Sequence, residues 1–160
     1  MGNKIKPPKT WNRRTRAVAT RTVHQIEARM PVMDRDEEAY LLGEDDGVML
    51  FLDDERPCPP GWRHAKDLRS FLSMLGEISP GKLRALSLDW YLGAGVTSGI
   101  DAACEIALRI ENDPTFFSGL KRVHCHSSDR EKAVEMARII ESAAQEFLEE
   151  RVRFRLGLPG

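Results

Sequence analysis

The sequence predicts an α/β fold in which an open, parallel β-sheet carries helices on both faces. From about residue 47 onward, short apolar runs alternate with amphipathic helical patterns, and the connections between them are short. Three of the apolar runs end in charged or polar residues, which is typical of strands that are covered on both faces. Strands and helices that alternate in this way form parallel sheets.

Composition and charge divide the chain into two parts. A chain of 160 residues that is 41% hydrophobic is long enough to fold around its own core. Residues 1–33 hold eight basic residues and one acidic residue, a net charge of +7, so the rest of the chain carries −8. We therefore predict a basic N-terminal arm, residues 1–33, and one α/β domain, residues 34–160.

The arm allows two interpretations. The basic residues between positions 4 and 29 suit a nucleic acid or an acidic protein as a partner. Ala19, Val23, Ile26 and Met30 have the spacing of one helical face. The alternative is a solvated tail that folds back on the acidic domain, and the sequence leaves both open.

Cysteine usage and hydropathy predict a cytoplasmic protein. The chain has three cysteines, an odd number without the spacing of a disulfide framework. No apolar segment is long enough for a membrane span or a signal peptide.

The domain is expected to begin with a buried strand. Residues 48–52 read VMLFL, which is wholly apolar and is followed by charge. Residues 37–42 are a candidate partner strand in a hairpin, with Asp46 and Gly47 in the turn.

The central elements follow in alternation. Apolar residues at helical spacing predict a helix over residues 64–76, with a glycine at its end. Residues 83–89 read LRALSLD, a second strand. The next helix begins at Ser98, which forms a capping-box pattern with Asp101, and it ends before residue 114.

The last elements repeat the pattern. Residues 121–128 predict a third strand. Ser128 and Glu131 form another capping-box pattern, which opens a helix through about residue 150. Residues 152–156 predict a final strand.

Polar side chains follow three of the predicted strands. They are Asp53 and Asp54 after the first, Asp89 after the second, and His126 and Ser127 after the third. The carboxyl ends of parallel strands meet at one edge of a sheet, where ligands bind near the topological switch point. We therefore expect these five side chains to converge.

Converging carboxylates need a positive partner. Two like charges ~4 Å apart repel by about 4 kcal/mol at an effective dielectric constant of about 20. A shared proton, the nearby Arg56 or a divalent metal would relieve this repulsion. Oxygen ligands from Asp53, Asp54 and Asp89 suit Mg²⁺, which often bridges to a phosphate.

The same edge offers groups for phosphate chemistry. Arg56 is expected to bind a phosphate through two hydrogen bonds, and the hydroxyl of Ser127 to donate another. His126 is a candidate general acid or base. With Asp89, these residues predict a site that handles phosphate esters.

Three sequence blocks, LFLDD, LSLDWYLG and VHCHSSD, resemble the receiver (chemotaxis-type) fold. The chain is most similar to a divergent branch, the cyclic-phosphate processing receiver-like domains of bacteria and phages, from about residue 47 to about residue 140. The residues that match this family's motifs are Asp53, Asp54, Arg56, Pro57, Pro59, Trp62, Ser87, Leu88, Asp89, Leu92, Gly93, Thr97, Gly99, His126 and Ser127.

The resemblance implies a role in processing cyclic phosphates on RNA ends or nucleotides. The chain also departs from the pattern, because Trp90 and Tyr91 stand where the family has His-Asp. These aromatic residues can stack on a base or pack inside. No lysine stands at the end of the last predicted strand, which disfavours phosphotransfer signalling through Asp89.

Two functions therefore follow as hypotheses. The first is a Mg²⁺-dependent phosphoesterase that acts on a cyclic phosphate of RNA or of a nucleotide. The second is a non-catalytic receiver-like binding module that uses its basic arm to contact a nucleic acid or a protein.

Overall fold

A computed structural model of the chain describes residues 47–93 and 97–157. The predicted hairpin partner at residues 37–42 and the predicted domain boundary lie outside these residues. In chain order the elements are β1 (Val48–Leu52), β2 (Arg63–Ala65), α1 (Leu68–Glu77), β3 (Leu83–Asp89), α2 (Gly99–Asn112), a 3-10 helix (Pro114–Phe117), β4 (Arg122–His126), α3 (Arg130–Phe147) and β5 (Arg153–Leu156).

The five described strands form one parallel sheet with the order β2-β1-β3-β4-β5. This is the strand order of the flavodoxin-like receiver fold, so the predicted fold class is confirmed. The crossovers that contain α1, α2 and α3 all run in the same direction across the sheet. Right-handed crossovers therefore place these helices on one face, and α2 contacts both α1 and α3.

The connection from β1 to β2 runs in the opposite direction and therefore crosses the second face. It is a loop, residues 53–62, and not a helix. The Trp62 ring at its end packs edge-on against His124 of β4, with 6.0 Å between ring centres. Within residues 47–93 and 97–157, the second face carries no helical layer. The parallel α/β class is thus as predicted, but in these residues helices cover one face of the sheet and not both.

The core lies between the sheet and the three helices. Burying each of its large aliphatic or aromatic side chains stabilises the fold by roughly 1.5–3 kcal/mol. Its largest fully buried members include Leu50, Leu52, Phe71, Leu75, Leu86, Leu88, Ile106 and Ile110. No helix among the described residues is long and apolar enough to cross a membrane.

The start of α1 differs from the prediction. Residues 63–65, part of which we assigned to the helix, form the edge strand β2. The helix begins after Asp67, whose Oδ1 accepts a hydrogen bond of 2.7 Å from the Ser70 amide. Gly76 lies inside the helix and does not end it.

The two later helices have different caps. The predicted start of α2 is confirmed, because Oδ2 of Asp101 accepts a hydrogen bond of 2.7 Å from the Ser98 amide. The predicted capping by Ser128 is wrong. The N-cap of α3 is Asp129, whose Oδ1 accepts from the Glu131 amide at 3.0 Å. The helix ends at Phe147, before residue 150.

His124 is a fully buried histidine on β4. Burial, together with the charges of Arg122 and Arg155, lowers its pKa from 6.5 to about 3. The geometry gives neither ring nitrogen a hydrogen-bond partner, and the Gly157 backbone, which acts in the opposite direction, does not offset the lowering of the pKa. The folded protein therefore holds this ring in its neutral form.

Candidate active site

Asp53 stands directly after β1 and is fully buried. Its amide continues the sheet by donating to the Ala65 carbonyl at 3.1 Å. Its Oδ1 accepts hydrogen bonds from the amides of Glu55 and Arg56, both 2.9 Å long. The carboxylate thus folds the following residues back over itself and leaves its second oxygen, Oδ2, facing the sheet edge.

Asp89 and His126 end neighbouring strands and are paired in register. Both side chains are almost completely buried. The Nδ1 atom of His126 lies 3.4 Å from Oδ1 of Asp89 and 4.0 Å from Oδ2 of Asp53. Three strand ends therefore deliver an imidazole nitrogen and two carboxylate oxygens to one small volume.

Arg56 reaches into this group from the β1–β2 loop. Its Nη1 atom lies 3.2 Å from Oδ2 of Asp53, 3.7 Å from Oδ1 of Asp89 and 3.0 Å from Nδ1 of His126. Its side chain is 43% exposed, whereas those of the two aspartates are 1% and 8% exposed. A solvent-accessible cation therefore partly neutralises two buried anions.

Asp53, Asp89 and His126 can together hold a metal ion, because one ligand atom from each lies within 4.8 Å of the others. Asp54, which we predicted as a further ligand, is not part of this group among the described residues. Its Oδ2 lies against Gly93 in the loop after β3, only 2.9 Å from where a Cβ on that glycine would stand. Consecutive strand-end residues point in different directions, which separates the two aspartates.

Ser127 follows His126 but is engaged in the helix start. Its hydroxyl oxygen accepts a hydrogen bond of 3.1 Å from the Asp129 amide. The side chain is half-buried, and its hydroxyl hydrogen remains available to donate. Ser127 thus lies at the same sheet edge, outside the group of three.

Close backbone packing between the start of α2 and the end of β3 fixes the position of Asp89. The Gly99 amide, at the start of α2, donates to the Trp90 carbonyl at 2.8 Å. A Cβ on Gly99 would lie 2.0 Å from the Asp89 carbonyl oxygen. Only glycine lets the helix approach this strand end so closely.

Two contacts of the site escaped the sequence analysis. The Phe51 ring stacks near His126, with 6.0 Å between ring centres and an interplanar angle of 20°. Lys132 donates a hydrogen bond of 2.8 Å to the Tyr91 hydroxyl. The alternation of side chains along β1 places Phe51 on the same side as Asp53, but nothing in the sequence pairs Tyr91 with a residue 41 positions away.

The parallel strand order, together with carboxylates at the ends of β1 and β3, defines a receiver-like α/β domain. The family model of the cyclic-phosphate processing receiver domain matches residues 48–142, more than half of the chain. The chain therefore belongs to the cyclic-phosphate processing receiver domain family. Searches of curated proteins and of solved structures returned no significant match.

Proposed function

We propose that this receiver domain binds a cyclic phosphate ester, of RNA or of a nucleotide, and hydrolyses it with the help of Mg²⁺. The observation that carries the proposal is the convergence of Asp53, Asp89 and His126 within 4.8 Å, with Arg56 beside them. With Arg56 in place, two carboxylates and one guanidinium leave a negative charge. An anionic phosphate would be repelled unless a further cation entered with it.

The donor atoms fit such a cation. Carboxylate oxygens of Asp53 and Asp89 would hold Mg²⁺, which typically takes one or two carboxylates and completes its shell with water and phosphate oxygens. Asp53 would use Oδ2, because Oδ1 already accepts two backbone hydrogen bonds. When bound, the ion would neutralise charge that develops on the phosphate.

The side chains of this chain supply the remaining functions. Arg56 would turn from the carboxylates to the phosphate, and the Ser127 hydroxyl would donate to it. In hydrolysis the oxygen of a water molecule bonds to phosphorus, one ester P–O bond breaks, and the released alkoxide takes a proton. Nδ1 of His126 would accept the proton of the water and return one to the alkoxide.

Hydrolysis of adenosine 2′,3′-cyclic phosphate with Mg²⁺ tests this proposal. We expect Asp89→Asn to lose the activity and His126→Gln to lose about 10²- to 10⁴-fold. Asp113→Asn is the matched control, because this carboxylate caps the 3-10 helix at the opposite edge of the sheet. Activity that survives in Asp89→Asn, or that is absent from the wild type for nucleotides and RNA ends alike, would refute the proposal.

One observation favours a second candidate, a non-catalytic binding module. Arg56 already occupies the space between the two carboxylates, as a permanent internal cation would. In this case the basic arm would hold a nucleic acid or an acidic protein. Replacing Arg13, Arg14 and Arg16 by glutamine in the full chain should weaken RNA binding and flatten its dependence on salt. Unchanged affinity at every salt concentration would exclude this role of the arm.

A further inference from the structure

Tyr91 is unusual among the described residues because it is the one large hydrophobic side chain that is exposed, at 48%. It follows Asp89 by two positions, so the two Cα atoms are at most roughly 7 Å apart. The backbone that carries this ring therefore lies beside the proposed phosphate site, within the length of one nucleotide.

The backbone before Tyr91 is held on both sides. The Trp90 amide donates to the His126 carbonyl at 3.1 Å, and the Trp90 carbonyl accepts from the Gly99 amide at 2.8 Å. The aromatic side chain of Trp90 is partly buried against the core. Tyr91 thus projects from a fixed point at the sheet edge and not from the tip of a long loop.

Lys132, in the first turn of α3, fixes the other end of the Tyr91 ring. Its Nζ atom lies 2.8 Å from the hydroxyl oxygen of Tyr91, 4.8 Å from the centre of that ring and 5.3 Å from the centre of the Trp90 ring. The ammonium group is thus closer to the hydroxyl end than to the middle of the Tyr91 ring. The hydrogen bond with Tyr91 raises the pKa of Lys132, so this side chain, like an ordinary lysine, is positively charged at neutral pH.

An exposed aromatic ring beside a cation has the chemistry of a base-stacking site. Every nucleobase has a π-face that stacks on such a ring, and the cation favours a ligand that carries phosphate. A phosphate ester without a base would leave the ring in water.

We propose that Tyr91 and Lys132 form a subsite for the nucleobase of a ligand whose phosphate binds at Arg56, so that the domain selects nucleotides over other phosphate esters. This inference rests on the proposed phosphate site. It assigns a binding role to an aromatic residue that stands where the motif of the family differs.

Two stable ligands with and without a base test the subsite. The full-length protein would be titrated calorimetrically, with Mg²⁺ present, with adenosine 3′-monophosphate and with glycerol 2-phosphate. We expect the nucleotide to bind roughly 5- to 150-fold more tightly, the factor that corresponds to the stacking of one base. NMR signals of the Tyr91 ring should shift with the nucleotide and not with glycerol 2-phosphate.

Substitutions of Tyr91 and of Lys132 separate stacking from other effects. Tyr91→Ala should bring nucleotide affinity down to that of glycerol 2-phosphate and leave the latter unchanged, whereas Tyr91→Phe should retain the preference. Lys132→Met should weaken the binding of the nucleotide, whereas the control Lys66→Met, which removes one lysine charge elsewhere on the surface, should not. Thermal midpoints of all variants would show that they are folded.

The outcomes distinguish the two proposals. If the wild type binds both ligands equally, or if Tyr91→Ala keeps the preference for the nucleotide, the base subsite is wrong while the phosphate site stands. If neither ligand binds, the base subsite is wrong, and the hydrolysis assay with adenosine 2′,3′-cyclic phosphate decides separately whether the proposed function fails too.

Discussion

The Nη1 atom of Arg56 lies 3.0 Å from the Nδ1 atom of His126, although 70 residues separate them in the sequence. A guanidinium nitrogen can only donate a hydrogen bond, so this contact requires Nδ1 to accept it, as in the tautomer with the ring proton on Nε2. Nε2 is buried and has no hydrogen-bond partner. His126 can therefore accept a proton at Nδ1 only after Arg56 moves away, which links proton transfer to the binding of a ligand that attracts Arg56.

Replacing Arg56 should change metal and phosphate affinity in opposite directions. Arg56→Met removes the cation that competes for the two carboxylates, so Mg²⁺ affinity should rise by roughly two- to fivefold, as for a partly exposed ion pair. Phosphate affinity should fall by about 10- to 100-fold, because a charged hydrogen bond is lost. Calorimetric titration measures both. The exposed Arg69→Met on α1 is the control, and a parallel fall of both affinities would contradict the competition.

The two neighbouring aspartates should behave differently. Asp53→Asn should abolish Mg²⁺ binding and lower the thermal midpoint, because an amide nitrogen would then face the Arg56 guanidinium. Asp54→Asn should leave Mg²⁺ affinity nearly unchanged, since its carboxylate lies against Gly93 and outside the group of three. Titration of both variants with Mg²⁺ compares them directly. An equal loss of Mg²⁺ affinity in both variants would show that Asp54 is also a metal ligand.

Two glycine-to-alanine substitutions should change the free energy of unfolding in opposite directions. Gly99→Ala should lower the free energy of unfolding by about 1–3 kcal/mol, because its Cβ would lie 2.0 Å from the Asp89 carbonyl oxygen. Gly76→Ala should raise it by about 0.5–1 kcal/mol, since this helical position has nothing within 4 Å of the added Cβ. Urea unfolding measures both changes, and a stable Gly99→Ala protein would show that α2 is not packed against β3 as described.

Acid should destabilise the fold through His124. Its pKa is about 3 when folded and 6.5 in the reference state, so below pH 6.5 the unfolded chain binds a proton that the folded protein does not. The free energy of unfolding therefore decreases as the pH is lowered through this window, by about 2 kcal/mol from pH 7 to pH 5. Urea unfolding at both pH values should show that His124→Phe lacks this part of the loss. Subtracting the change in unfolding free energy of the variant from that of the wild type cancels the contributions of other groups. An equal decrease in both proteins would contradict the prediction.

The strands that position the site could be predicted because their signal is local. Each of β1, β3 and β4 is a short run of buried residues that ends in polar ones, and parallel order follows from the alternation with helices. β2 was missed because it has three residues, of which Arg63 is exposed. It exists through its pairing with β1, and such an edge strand has no hydrophobic pattern of its own.

The site could be predicted in part, for a related reason. Convergence of Asp53, Asp89 and His126 follows from parallel strands. Which of two consecutive aspartates points toward the site depends on the register at the end of a strand buried on both faces, where alternation gives no clue. The position of Arg56 depends on how the loop folds around Asp53, which residue spacing alone does not determine.

The composition of the loop of residues 53–62 affects how fast Arg56 can move between the carboxylates and a ligand. Pro57, Pro59 and Pro60 follow Arg56 closely, and each proline fixes one backbone angle. Such a backbone has few alternative conformations, so the loop loses little entropy when it folds. Arg56 can then move between the carboxylates and a ligand by rotation of its own side chain. Exposed side chains rotate within picoseconds to nanoseconds, whereas loops rearrange over nanoseconds to microseconds, so the exchange of this cation would not limit the rate of turnover.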